Sequence, residues 1–398
     1  MRTPPRVLIL VQNLPVPLDR RVWMECQTLV AAGYGVSVVC PKGPGDPAYA
    51  LVDGVHLHKY APAPATRGPL SFVWEFVYCW VRTAALVLRV ARREGFDVIQ
   101  ACNPPDTFFA LAAPFKLAGK AFVFDQHDLC PEVYCSRFPR PSRFLLAALH
   151  LLERATYRTA DHVIATNESF RAIARERGRL RADDVSVVRS GPRAEHMRRG
   201  EPRPELRHGR DHLAVYLGIM GPQDGVDLAL HAVAELVHGA GRADVHTAFL
   251  GFGDCFDDLV DLSERLEITE HVSFPGRADD DMIRDYLSTA DLGLSPDPKN
   301  TMNDLCTMCK TLEYMAFELP VVAFDLRETR HSAGDAAVYA PANDVAAFAR
   351  CVAELLDDPD RRTHMGKIGR DRITTELSWE HSAAAYLRVY QTVLGRRP

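Results

Sequence analysis

The chain has little net charge for its length. Its 398 residues include 47 Lys and Arg against 52 Asp and Glu, a balance of −5. That balance argues against a nucleic-acid binder spread over the whole surface. A membrane span is missing too, because no segment reaches the roughly 18 uncharged apolar residues that one needs. Nor is there a disulfide framework. The ten cysteines are scattered, several inside apolar runs, as buried thiols are in a reducing compartment. Cys306-Thr-Met-Cys309 lacks a second Cys or His pair at zinc spacing and a thioredoxin-like context, so neither metal nor redox chemistry is expected there. The apolar stretch Val7–Val11 is short for a signal-peptide core and runs into Gln12-Asn13, so no leader is expected.

What is present is an ordinary globular mix, 47% apolar and 25% charged, with length for two or three domains. The mean charge hides an asymmetry. Residues 1–200 carry 27 basic and 18 acidic side chains, a net +9, and residues 201–398 carry 20 and 34, a net −14. Halves of opposite sign suggest two domains with different partners.

Short β-branched runs alternate with amphipathic stretches along the whole chain. Strands are expected at Arg6–Val11, Gly35–Cys40, Asp97–Ala101, Ala121–Asp125, His162–Thr166 and Val185–Arg189. They resume at Leu213–Leu217, Val245–Leu250, His271–Phe274, Asp291–Ser295 and Pro320–Phe324. Such alternation implies an α/β fold with parallel sheets covered by helices on both sides. The expected organisation is a Rossmann-like domain over 1–192, a linker over 193–212, a second Rossmann-like domain over 213–378 and a closing helix over 379–398. Leu70 to Val90 is apolar apart from Glu75, Arg82 and Arg89, which fall seven apart on one helical stripe. One reading is a helix buried in the first domain; the other is a helix touching lipid headgroups or a lipid-linked substrate.

Ligands of doubly wound sheets bind beyond the carboxyl ends of the strands, which narrows the search to the loops after them. The first such loop, Gln12 to Arg21, lacks the GxGxxG fingerprint of a dinucleotide site. Asp19 there either caps the next helix, with Arg20 and Arg21 solvated, or the loop with Asn13 and Arg20 forms an acceptor-binding lip. Asn103-Pro-Pro-Asp106 and Gln126-His127-Asp128 end the next two strands. His127 could meet a sugar hydroxyl or the reacting centre, with Asp128 orienting its ring, or it could cap the following segment. In the second half, Gly221, Gln223 and Gly225 lie in a turn before a helix, where backbone amides can meet an anion. Gly251-Phe-Gly253 is another glycine-bearing strand end. Asn303-Asp304 leads into a helix holding Lys310 and Glu313, either a solvated pair or a site for vicinal hydroxyls such as those of a ribose.

Together these loops resemble the GT-B glycosyltransferases of family 4 over nearly the whole chain. The second half matches the donor-site pattern through Gly218 to Gly225, Gly251-Phe-Gly253, Phe274-Pro-Gly276 and Glu313-Tyr-Met-Ala-Phe-Glu-Leu-Pro-Val-Val. The first half, with Asn13-Leu-Pro-Val-Pro-Leu-Asp-Arg-Arg-Val-Trp, Asn103-Pro-Pro-Asp106 and Asp125-Gln-His-Asp128, resembles a subgroup active in surface-polysaccharide or glycoconjugate assembly. The resemblance implies two facing domains and a retaining transfer from a nucleotide-diphosphate sugar to a hydroxyl acceptor, without a cofactor or a metal. It assigns Glu313 to the donor ribose, His127 to the reacting sugar and Gly221 to the diphosphate, and it suggests that the closing helix crosses back to the first domain. Three departures follow. The first acid of the family's E-x7-E motif falls at Leu305, with Asp304 beside it as a replacement. The family's diphosphate-binding Arg and Lys fall near Ile219 or Met220 and at Asp224. Lys310 is the substitute cation expected to act on the leaving phosphate.

The implied partners are the donor and a sugar, lipid-linked or small-molecule acceptor, with no nucleic acid. The expected setting is cytoplasmic, with peripheral contact to an anionic membrane as a further reading of the basic half. Two other functions stay open at this point. One is a nucleotide-sugar epimerase of the same fold; the other is a non-catalytic binding subunit.

Overall fold

Strands buried on both faces read as near-continuous apolar runs, and the runs of this chain become parallel strands. The computed structural model describes residues 4–64, 69–138 and 140–395. The chain divides into two units, Met1–Arg189 with Ser382–Pro398, and Ser190–His381. Residues 193–212, expected as a linker, therefore lie inside the second unit. There Arg207 bonds Asp291 and the Thr289 carbonyl, and Ala194, Met197 and Leu206 pack on the core, so polar and apolar contacts together fix an irregular segment. The last three residues of the expected closing helix lie outside the described residues.

In the first unit the strands are β1 Arg6–Leu10, β2 Gly35–Pro41, β3 Tyr49–Val52, β4 Val55–Tyr60, β5 Val98–Cys102, β6 Ala121–Gln126, β7 His162–Ala165 and β8 Val185–Val187. They form one sheet in the order β3-β4-β2-β1-β5-β6-β7-β8. Every neighbouring pair is parallel except β3 with β4. That hairpin is missing from the sequence expectation. Its signal is Asp53-Gly54, both at positive φ, the two-residue turn that suits a right-handed twist. The helices are α1 Arg20–Ala31, α2 Pro69–Arg93, α3 Phe109–Leu117, α4 Cys130–Arg137, α5 Arg143–Thr159 and α6 Glu168–Gly178. Asp19 and Asn167 cap α1 and α6 by accepting the Val22 and Phe170 amides.

Of the two readings of Leu70–Val90, full burial in the first domain holds for one face of α2 only. Its inner face, with Cys79, Thr83, Leu86, Val87 and Val90, is buried. Its outer face keeps Trp74, Val77, Val81 and Leu88 between 47% and 54% exposed, an apolar surface that the helix does not bury in its own unit.

The second unit holds β9 His212–Ile219, β10 Val245–Phe252, β11 Val272–Gly276, β12 Leu292–Ser295, β13 Val321–Phe324 and β14 Ala337–Ala340. They run parallel in the order β11-β10-β9-β12-β13-β14. Its helices are α7 Val226–Ala234, α8 Phe256–Arg265, α9 Asp280–Thr289, α10 Cys309–Ala316, α11 Arg327–Ala333, α12 Val345–Leu356 and α13 Pro359–Arg372. Leu213, Val215, Leu312, Met315 and Val321 belong to one core on one side of this sheet. Ala214, Leu292, Leu294, Phe348 and Val352 belong to a second core. A final helix, α14 Trp379–Gly395, begins in the second unit and continues into the first from Ser382.

Candidate active site

In the first unit, β1, β5 and β6 end side by side, and their following loops hold the expected residues. His127 and Asp128 follow β6. The turn is held from below by Asn103, whose Oδ1 accepts the His127 and Asp128 amides at 2.7 and 3.1 Å. The Asn103 amide nitrogen donates to the Asp128 carbonyl and to Asp106 Oδ1. Asn103 and Asp106 are both buried. Expected as acceptor contacts, they lie under the turn, because an amide with donors and acceptors on one planar group is what a tight turn needs beneath it. Burial pushes the Asp106 carboxyl up to about 7, despite the Asn103 hydrogen bond. Asn13, on the β1–α1 loop, and Arg20, the first residue of α1, are exposed.

The ring of His127 is held by a different acid from the one expected. Asp125, the penultimate residue of β6, accepts at 2.8 Å from Nε2, whereas Asp128 was the expected partner. A strand residue two positions before the histidine points to the same side of the sheet, and Asp128 does not. Arg21 is buried in the same cluster. Its guanidinium bonds Asp125 and the Val188 carbonyl, each at 2.9 Å, and lies 3.1 Å from both Glu25 and His127 Nε2, whose proton goes to Asp125. Among the described residues Nδ1 of His127 has no hydrogen bond. Of the two readings of Asp19, the cap is present, but Arg21 turns inward while Arg20 stays exposed.

Two buried carboxylates beside one guanidinium do not both ionise easily. Desolvation, together with Asp125, drives Glu25 well above the usual carboxylate range. Asp125 resists the same desolvation, because Arg21 and His127 hold it far below that range. Gln100 links the pair, donating to Glu25 at 2.7 Å and to Asp125 at 3.0 Å. Its oxygen accepts from Tyr386 at 2.7 Å and from Tyr390, both on α14. The donor atoms of Cys102, Asp125 and His127 lie within 4.8 Å of one another, close enough for a metal ion. The Arg21 guanidinium already supplies a cation to two of the three.

In the second unit, the loops after β9, β10 and β12 meet the start of α10. Gly225, at φ 68°, begins α7, and a Cβ there would lie 2.1 Å from the Pro296 carbonyl oxygen. Only glycine lets these two loops approach so closely. Gly221, expected at the diphosphate, gives its amide to Asp224 at 2.9 Å, and Gln223 donates to the same carboxylate. Asn303, expected at the donor, is buried and ties the loops together, donating to the Gln223 and Pro298 carbonyls at 2.9 Å. Asp304 accepts the Arg327 amide at the start of α11 and lies 3.5 Å from Lys299, so helix capping and an ion pair engage it. Glu313 is half-buried on α10.

Lys310 is buried and bonds Asp297 at 2.5 Å, with its ammonium 5.2 Å from the centre of the Tyr216 ring. Desolvation favours the neutral amine, but Asp297 and Asp224 outweigh it and hold the ammonium above its usual value. Asp297 is absent from the sequence expectation, though it follows the strand ending at Ser295, where the loop rule points. The rim of β9 and β10 exposes Ile219 and Phe252, and Arg277 stacks 5.4 Å over the Phe252 ring. Gly251 and Gly253 flank Phe252 at this strand end.

Two Rossmann-like units, each gathering polar groups at the carboxyl ends of a parallel sheet, define a GT-B glycosyltransferase. The chain belongs to the group 1 glycosyltransferases of family 4. Residues 18–191 match the glycosyl transferase 4-like domain, and residues 211–358 match the glycosyl transferases group 1 model. The chain is 25% identical over 391 residues to glycogen synthase of Mycobacterium tuberculosis, covering 94% of this chain and 90% of that protein. Sucrose-phosphate synthase from Thermosynechococcus elongatus has a similar fold, with a TM-score of 0.77 at 16% identity over 98% of this chain and 99% of that one. Anabaena HepE in complex with UDP-glucose is similar at a TM-score of 0.71 and 15% identity, over 98% and 99% of the two chains. The protein is thus a glycosyltransferase.

Proposed function

We propose that the protein transfers a sugar with retention from a nucleotide-diphosphate donor to a hydroxyl acceptor in polysaccharide or glycoconjugate assembly. The observation that carries this reading is the buried Lys310 ammonium at the strand-end loops of a strongly acidic unit. Asp297 takes one of its hydrogen bonds, which leaves the ammonium further donors for a leaving phosphate. Phe252 and Ile219 offer an apolar rim to the base, and Glu313 is placed for the ribose hydroxyls. The first unit takes the acceptor, and His127 presents Nδ1 to the reacting sugar because Nε2 is engaged by Asp125 and Arg21.

Charge develops on the β-phosphate as the glycosidic bond breaks. The acceptor hydroxyl attacks on the same face and gives its proton to that phosphate, so neither a metal nor an enzyme nucleophile is required. No helix among the described residues is long and apolar enough to cross a membrane. The ten free thiols suit a cytoplasmic setting, and the basic first unit suits peripheral contact with an anionic membrane.

Lys310→Ala is expected to lower turnover about a hundredfold or more at saturating donor. Unchanged turnover there removes the role given to Lys310. Asp297→Asn separates phosphate contact from charge balance, since it keeps the ammonium and removes only its partner.

A further inference from the structure

A cavity of about 390 Å³ lies between the β3–β4 hairpin and α2, away from the loops that hold His127. Tyr49, His56, Arg82, Arg89, Arg93 and Glu94 are among its lining residues. The three arginines fall seven and four residues apart, so one face of α2 delivers all of them to the same space. None has an ion-pair or hydrogen-bond partner among the described residues. The acid in the cavity wall is already spent: Glu94 binds His58 at 2.8 Å, Ser37 at 2.6 Å and Arg6 at 3.3 Å. Lys59 is matched by Asp46 at 2.6 Å. Three exposed guanidiniums therefore line one cavity with no anion of the chain assigned to them. Arginine forks match phosphate oxygens in pairs, and the volume falls in the range of small-ligand pockets.

The place of the cavity separates it from the transferase site. The lining runs along α2 from Arg82 to Arg93 and along the β3–β4 edge of the sheet, with β2, β1 and β5 between β4 and the strand that precedes His127. His127 and Asn103 stand at the carboxyl-terminal edge. Beside the arginine row, on the same helix, runs the exposed apolar row of Trp74, Val77, Val81 and Leu88. A phosphate pocket next to an apolar ridge fits a molecule that is anionic at one end and hydrocarbon beyond it.

We propose that this cavity is a binding site for the phosphate-bearing headgroup of a bilayer lipid, with the outer face of α2 resting in the headgroup layer. The proposal rests on the membrane reading above and gives it a specific seat. Each basic residue at an anionic surface contributes about 1 kcal/mol, or about fivefold in affinity.

The test is co-sedimentation of the full chain with vesicles of phosphatidylcholine, alone and mixed with phosphatidic acid. No donor sugar is needed, so the result stands apart from any transfer assay. Binding is expected only with phosphatidic acid. Arg82→Ala, Arg89→Ala and Arg93→Ala should each weaken it about fivefold, and the triple variant about a hundredfold. Arg175→Ala, an exposed arginine on α6 outside the cavity, should change it little. Trp74→Ser should weaken binding without lowering thermal stability, because the side chain is half-exposed. Equal losses for Arg175→Ala and Arg89→Ala would mean diffuse attraction, and the pocket is then rejected while a membrane contact survives. Failure of the wild-type chain to sediment with phosphatidic acid rejects both. Thermal stabilisation by inorganic phosphate that the triple variant loses, without vesicle binding, assigns the site to a free anion and overturns the lipid.

Discussion

The two units share one plan and differ in what they show to solvent. The first holds 27 basic and 17 acidic residues, a net +10, and the second 20 and 35, a net −15. Among the described residues, eleven large hydrophobic side chains are exposed in the first unit and two in the second. Those two, Ile219 and Phe252, sit at the carboxyl ends of β9 and β10. The eleven are spread over the β3–β4 hairpin and α2 to α5. An acidic unit with a small apolar rim suits one small ligand held in place. A basic unit with broad apolar helix faces suits an extended surface. The same layered architecture thus supports two kinds of recognition, because the sheet core fixes the fold and the outer faces are free to differ.

Each unit also buries a cation at its strand ends, and the two cations differ in how fully they are used. Arg21 bonds Asp125 and Val188, and lies against Glu25 and His127. Lys310 has one carboxylate partner, Asp297. The first should therefore be architectural and the second responsive to ligand. Arg21→Met leaves Asp125 buried beside His127 alone and should cost about 3–5 kcal/mol in urea unfolding, the largest stability effect expected in either unit. It should leave the thermal shift produced by a nucleotide-sugar donor intact, since the proposed donor site lies in the other unit. Lys310→Ala should lose that shift. A variant of Arg21 that folds normally, or one of Lys310 that keeps the full nucleotide shift, breaks the contrast.

The next expected effect sets a pH signature on the first unit. Asp106 holds its proton up to about pH 7 when folded and releases it near pH 4 when unfolded. Between those values the folded state binds more protons, so stability falls as pH rises from 4 to 7 and is level above that. The full effect is a few kcal/mol at most. Asp106→Asn keeps the Asn103 contact within reach and should flatten that slope in melts taken across the range. A wild-type curve with no fall between pH 4 and 7 shows that Asp106 ionises freely and that the turn beneath His127 is wetter than its burial implies.

How much of this contrast is legible in the chain depends on the range of the interactions. The parallel strands read directly, because their apolar runs are local. So does the family, because its loops follow strands at set spacings. Strand β14, Ala337–Ala340, does not read, since alanine carries no β preference of its own. The hairpin β3–β4 has a readable turn, but β3 is largely exposed and the buried β4 mixes apolar residues with His56, His58 and Lys59. The buried cluster is the harder case. Arg21 and Glu25 fall four apart, which on a lone helix means a solvated pair. Only Asp125, Gln100 and Val188, between 75 and 167 residues away, make that face an interior. Asn103, Asn303 and Asp304 were legible as polar strand-end residues, but whether an amide meets a ligand or a neighbouring loop is decided by the packing of other segments. Asp297 shows the opposite error: it stood where the loop rule points and was passed over for more strongly patterned neighbours.

The smallest effect probes the join between α14 and the first sheet. Tyr386 and Tyr390 both donate to Gln100, whose amide in turn supports Glu25 and Asp125. Their hydroxyls lie 2.9 Å apart, so either can replace part of the other's role. Tyr386→Phe and Tyr390→Phe should each cost about 1 kcal/mol, a typical net hydrogen bond. The double variant should cost more than the two together, because it alone leaves the Gln100 oxygen buried without a donor. Strict additivity in urea unfolding would mean that the two hydroxyls do not share the acceptor. A loss of transferase activity in the double variant, with donor affinity unchanged, would show that α14 reaches the His127 ring through Gln100 and Asp125, and would place the end of the chain in the service of the acceptor unit.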